Sequence, residues 1–136
     1  MNNRTKLSLI SLIAVLALGL LLYSRVQLSR GTIILNEKDD GSVIHLNTGQ
    51  QLQAVLNGNP TTGYNWENAT ISSNVIKRVG EIEFRPASRA IGAPGKVTMR
   101  FKAMAPGQAE LKLIYRRPWE KNIPPIDTFR VSVTVK

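Results

Sequence analysis

Apolar and polar residues alternate along most of the chain. In KVTMRFKAM, Val97, Met99, Phe101 and Ala103 fall on one side, and Thr98, Arg100 and Lys102 on the other. AELKLIY repeats the pattern with Ala109, Leu111, Leu113 and Tyr115, and TFRVSVTVK with Phe129, Val131, Val133 and Val135. QLQAVLN sets Leu52, Ala54 and Leu56 on one face, and EIEFR sets Ile82 and Phe84 against Glu81, Glu83 and Arg85. GTIILN and SVIHLN read as two further strands ahead of these. A period of two marks strands with one wet face. Turn signals recur every eight to twelve residues or so, with no long helical period after residue 31. The pattern predicts an all-β sandwich of about seven to eight strands, immunoglobulin-like in topology.

The first thirty residues follow another rule. Arg4 and Lys6 precede an apolar run from Leu7 to Tyr23, interrupted only by Ser8, Ser11 and Gly19. As a helix this N-terminal hydrophobic segment spans about 25 Å, at the short end for crossing a bilayer. It is long for the apolar region of a signal peptide, about 7 to 15 residues. Cleavage after Gly19 would leave Leu20 to Leu22 on the mature chain, so an uncleaved signal anchor is the favoured reading. Arg4 and Lys6 then keep a short stub in the cytoplasm. Residues 1–30 are thus expected to form stub, anchor or signal peptide, and linker. Residues 31–136 form the exported domain, membrane-anchored and facing the periplasm or exterior, or secreted to the periplasm if the leader is cleaved.

Charge and composition narrow the function. The whole chain carries a formal net charge of +9. Residues 31–136 hold 14 basic and 9 acidic side chains, a moderate surplus. The basic residues are spread along several strands, which argues against a nucleic-acid partner or an anionic polymer. There is no cysteine, so disulfides, thiol chemistry and the usual metal clusters are absent from the repertoire. The single histidine, His45, sits on a predicted strand with no nucleophile elbow to serve. No metal or cofactor is expected, and no catalytic constellation emerges. The product of the chain is a binding surface rather than an enzyme. An exported immunoglobulin-like adhesion or assembly module stays open at this point.

Three loops interrupt the alternation: Gly58 to Gly63, Arg85 to Lys96, and Arg116 to Asp127. Two of them run to about twelve residues, a length usually tied to function in a compact domain. Asn59, Pro60 and Gly63 are turn formers. Thr61 and Thr62 stand between them, with no charge at the tip. Tyr64 and Trp66 alternate with Asn65 and read as inward-facing, Tyr64 as a support at the base of the loop.

NPTTGY (Asn59 to Tyr64), GAPG (Gly92, Ala93, Pro94, Gly95) and RPW (Arg117, Pro118, Trp119) occur in that order, one to a loop. This resembles the chagasin family, protein inhibitors of papain-like cysteine peptidases, across Thr32 to Lys136. The family's second loop follows G-x-G-G, and here Pro94 replaces a glycine. The resemblance implies a reversible, tight-binding inhibitor, a monomer, whose three loops lie side by side at one end of the sandwich. It implies that Asn59 to Gly63 enters the peptidase cleft, with Thr61 and Thr62 approaching the catalytic groups. Trp119 would cover an apolar patch of the peptidase, and Arg117 would reach an acid or stack at the rim. Arg116, on the opposite side of the chain, would stay a solvated charge.

Overall fold

The computed structural model describes residues 10–21, 31–70 and 74–136. They fall in two compact units, Met1–Gly31 and Thr32–Lys136. In the first, residues 10–21 are helical and exposed. The apolar run Leu7–Tyr23 extends at both ends outside the described residues, as do the expected stub and most of the linker. No helix among the described residues is long and apolar enough to cross a membrane.

Eight strands build the second unit. They are β1 (Ile33–Leu35), β2 (Val43–Leu46), β3 (Gln51–Gly58), β4 (Asn65–Thr70), β5 (Ile76–Pro86), β6 (Gly95–Ala103), β7 (Gly107–Arg116) and β8 (Asp127–Val135). Two four-stranded sheets result, ordered β1-β3-β6-β5 and β2-β8-β7-β4. β1 runs parallel to β3 and β2 parallel to β8; the other pairs are antiparallel. The predicted alternation sets the core. Leu52, Ala54 and Leu56 of β3 and Val97, Met99, Phe101 and Ala103 of β6 are buried, facing Leu111, Leu113, Phe129, Val131 and Val133 of the other sheet. Full burial of each large side chain contributes about 1.5–3 kcal/mol. No polar or charged residue is buried among the described residues.

Two expectations change. Ile82 was expected inside with Phe84, yet it is 42% exposed. Between Val79 and Glu83 the β5–β6 register shifts: four steps along β5 match two along β6. Gly80 takes a positive φ there. The bulge lifts this edge strand off the core, and Ile82 lines a groove of about 390 Å³ with Phe84, Val97 and Trp66. The two long loops are also shorter than expected: β5 runs on to Pro86 and β6 begins at Gly95, while β7 takes in Arg116 and β8 takes in Asp127. A Cβ on Gly95 would collide with the Arg85 carbonyl, so this glycine is required by strand contact.

β1 covers β3 only as far as Ala54. Beyond it, a 3-10 turn at Glu37–Asp39, held by an Asn36/Asp39 capping box, takes over. There the Glu37 carboxylate accepts the Asn57 N–H and pairs with Lys96 at 3.4 Å. Burial alone would raise the Glu37 carboxyl. Hydrogen bonds from its own N–H and from Asn57, with Lys96 nearby, together outweigh burial and hold it below the usual glutamate value. A lowered folded value means stability that is present above the unfolded pKa and lost as pH falls through the folded one. Glu37→Gln should therefore cost about 1 kcal/mol or less at neutral pH, given the partial exposure. That difference should fade as pH falls below about 4.3. Urea unfolding of both chains across this range checks it, and a gap that persists undiminished into acid contradicts it.

Candidate functional site

The NPTTGY segment forms a single 3-10 turn, Pro60–Thr62, between β3 and β4. Proline suits its first position, where a missing N–H costs nothing and φ is already set. Asn59 caps the turn: its Oδ1 accepts the Thr61 N–H at 3.3 Å and the Thr61 hydroxyl. Its carbonyl accepts the Thr62 N–H at 3.1 Å and the Thr62 hydroxyl at 2.6 Å. Gly63 closes the turn at φ +82, with its N–H donating to the Pro60 carbonyl. Thr61 and Thr62 are exposed at the tip.

Each neighbouring loop is joined to this turn. The Asn59 side-chain amide donates to the Gly92 carbonyl at 3.0 Å, tying in the second loop. Gly92 has φ +77 and lies beside the Thr61 hydroxyl. Ala93 and Pro94 follow, with the Ala87 N–H closing the neck on the Pro94 carbonyl at 2.9 Å. On the other side, Arg117 Nε donates to the Thr62 carbonyl at 3.0 Å. The Trp119 ring lies against Gly63 so closely that a Cβ there would strike it. The order across this end of the sandwich is second loop, first loop, third loop.

An aromatic stack supports the group from below. The Arg117 guanidinium sits 4.5 Å above the Tyr64 ring, Tyr64 contacts Tyr115 at 5.5 Å, and Tyr115 stacks on Trp66 at 5.0 Å. Trp66 is buried, and its Nε1 donates to the Asn57 carbonyl at 2.8 Å, linking the two sheets. Tyr64 is only half-buried, so of the two residues expected inside, Trp66 belongs to the core and Tyr64 to the loop base. The Tyr115 hydroxyl accepts the Asn59 N–H at 2.8 Å. That role was not read from the sequence. The available signal was a phenol, rather than an aliphatic side chain, at the last inward position of β7.

The remaining candidates divide. Trp119 is 67% exposed, as a loop residue, and Pro118 is exposed beside it. Arg117 is engaged within the protein, with Glu120 at 3.2 Å as a further partner. Arg116 is half-buried in an ion pair with Glu67 at 3.0 Å rather than freely solvated. Ile91, not singled out in the sequence, is fully exposed next to Gly92. His45 is exposed on β2, away from these loops. No group of three or more histidine or acidic side chains among the described residues could hold a metal.

Comparison with known proteins bears on this arrangement. Residues 45–133 match the model of the chagasin family peptidase inhibitors. Amoebiasin-2 of Entamoeba histolytica is 31% identical over 105 residues, covering 76% of this chain and 85% of the relative. Chagasin of Trypanosoma cruzi is 31% identical over 101 residues, covering 71% and 90%. The crystal structure of a cysteine protease inhibitor from Entamoeba histolytica superposes with a TM-score of 0.69 at 29% identity, over 77% of this chain and 96% of that one. The immunoglobulin-like sandwich expected from the alternation is the fold these inhibitors share. With the three loop motifs joined at one end of that sandwich, the chain belongs to the chagasin family of peptidase inhibitors, and is an inhibitor of cysteine peptidases rather than an enzyme.

Proposed function

We propose that this inhibitor acts on papain-like cysteine peptidases by placing its first loop in the active-site cleft, with the other two loops gripping the rim on either side. The observation that carries the reading is the uncharged, capped turn Asn59–Gly63, exposed at its threonines and tied on both flanks. Asn59, Pro60, Gly63 and Tyr64 hold the turn. Thr61 and Thr62 enter the cleft, where a hydroxyl both donates and accepts and so replaces the water it displaces. A charge at that tip would be desolvated without a partner, at several kcal/mol. Trp119 with Pro118 on one flank, and Gly92, Ala93 and Pro94 with Ile91 on the other, offer small or apolar groups to the rim. Gly95 sets the neck of the second loop. Arg117 braces the first loop from within instead of reaching for the peptidase. Because the loops are ordered by their own bonds, less entropy is lost on docking.

The domain works as a monomer in this reading. Arg4 and Lys6 ahead of the apolar run support an uncleaved anchor through residues 7–23, with the inhibitor domain on the exported side. The protein should then sediment with membranes and resist alkaline extraction; a soluble mature form starting near Leu20 contradicts this.

With no cysteine in the chain and no activated nucleophile identified, inhibition should be reversible. Papain activity should return on dilution, and an intact covalent adduct seen by denaturing mass spectrometry would refute the mechanism. Trp119→Ala should weaken inhibition by about 2–4 kcal/mol, the range for an anchor residue. Thr62→Arg should cost at least as much, through clash and a buried unpaired charge. Arg116→Ala should change inhibition by less than about 1 kcal/mol. Inhibition constants measured beside thermal unfolding settle the assignment. Retained inhibition with a lowered unfolding temperature in Trp119→Ala removes the third loop from the site.

A further inference from the structure

The outer faces of the two sheets differ in how many like-charge rows they carry. The β2-β8-β7-β4 face has one, Lys112 opposite Arg130, with Arg130 paired to Glu110 at 3.7 Å; nearby, Arg116 pairs with Glu67 at 3.0 Å. On the β1-β3-β6-β5 face the register sets like charges opposite one another: Lys77 faces Lys102, and Arg85 faces Lys96. Like charges directly opposed across a ladder are destabilising. Two acids lie within reach. Glu83 grips Arg100 with two hydrogen bonds of 2.8 and 2.9 Å, and Glu37 meets Lys96 at 3.4 Å. Glu81 sits in the β5 bulge, out of register with β6. Lys77, Lys102 and Arg85 make no ion pair among the described residues.

These cations are scattered in sequence and gathered only by strand pairing. From the Arg85–Lys96 row to the Lys77–Lys102 row is six residues along β6, about 20 Å. A depression of about 630 Å³ runs from the Arg85–Lys96 row toward Arg100, lined also by Gln53, Thr98, the Arg100-bound Glu83 and the core-packed Phe84. Gln51 stands opposite Lys102, and Gln53 opposite Arg100.

We propose that this face binds an acidic polysaccharide, an extended sulfated or uronate chain laid along β6. The unpaired cations take the anionic groups, and the Gln51 and Gln53 amides and the Thr98 hydroxyl serve the sugar hydroxyls between them. The outward positions of these strands carry no aromatic side chain, the platform on which single-stranded nucleic acids stack. A depression suits a chain better than the plane of a bilayer. The Lys77–Lys102 row lies at the end of the sheet away from the three loops, so the polymer and a peptidase can be held together. The proposal does not depend on which peptidase is bound.

Heparin is the probe, titrated into the full chain in nonionic detergent at about 0.15 M salt, where long-range attraction is screened within about 8 Å. Lys77→Glu/Lys102→Glu should weaken binding at least about tenfold, while Lys112→Glu/Arg130→Glu, the same charge change on the other face, should weaken it less than about threefold. Thermal unfolding of each variant reports the fold. If the first pair unfolds early, Lys77→Gln/Lys102→Gln, which relieves the like-charge contact, should fold at least as well and still bind about fivefold more weakly. Equal losses from the two faces would reduce the effect to net charge and overturn the proposal. So would a failure of the unaltered chain to bind heparin, or tighter binding to single-stranded DNA or phosphatidylglycerol vesicles.

Discussion

The arrangement of the three loops depends on one asparagine. Asn59 uses all four of its hydrogen-bonding groups. Its N–H goes to Tyr115, its carbonyl and Oδ1 serve the threonines, and its side-chain amide reaches Gly92. Only an amide of this length both caps a turn and donates outward from the same side chain. Aspartate would cap the turn and lose the bond to the second loop. Serine would cap it and fall short. The residue thereby sets the shape of the tip and the position of its neighbour together.

Rigidity below the tip comes from a different source. The Arg117–Tyr64–Tyr115–Trp66 stack carries the loop base down to the sheet junction, where the Trp66 indole donates to Asn57. Each aromatic contact contributes about 0.5–1.5 kcal/mol beyond burial. These contacts lie on side chains that a partner at the tip need not displace. Gly63 adds a steric condition: Trp119 lies flat on it only because no Cβ is present. A tryptophan with two-thirds of its surface exposed thus has a defined place without belonging to the core.

Much of this was legible from the sequence. The inward sets of β3, β6, β7 and β8 follow from alternation, because each of those strands has one face under the other sheet. The three motifs named the loops. What alternation missed was out of register or out of period. Ile82 was misplaced because a bulge on an edge strand leaves no mark except Gly80. The reach of Gly95 toward the Arg85 carbonyl is a contact between strands, invisible to a one-dimensional reading. Tyr115 looked like one more inward residue, since nothing local tells a phenol that packs from one that also accepts a hydrogen bond 56 residues away. Arg116 was expected as a solvated charge and Arg117 as a contact to the peptidase, but both are taken up by acids of this chain, Glu67 and Glu120.

The bulge in β5 has a consequence for behaviour at high concentration. β5 is an edge strand of eleven residues, long enough to template another chain. Its run of registered pairing breaks at Gly80, and Lys77, Arg78, Glu81, Glu83 and Arg85 crowd the remainder with charge. An incoming strand would meet a kink midway and mismatched charges on either side, two of the devices by which sheet proteins avoid edge-to-edge aggregation. The feature that exposes Ile82 therefore also guards the sandwich against growing into a fibre.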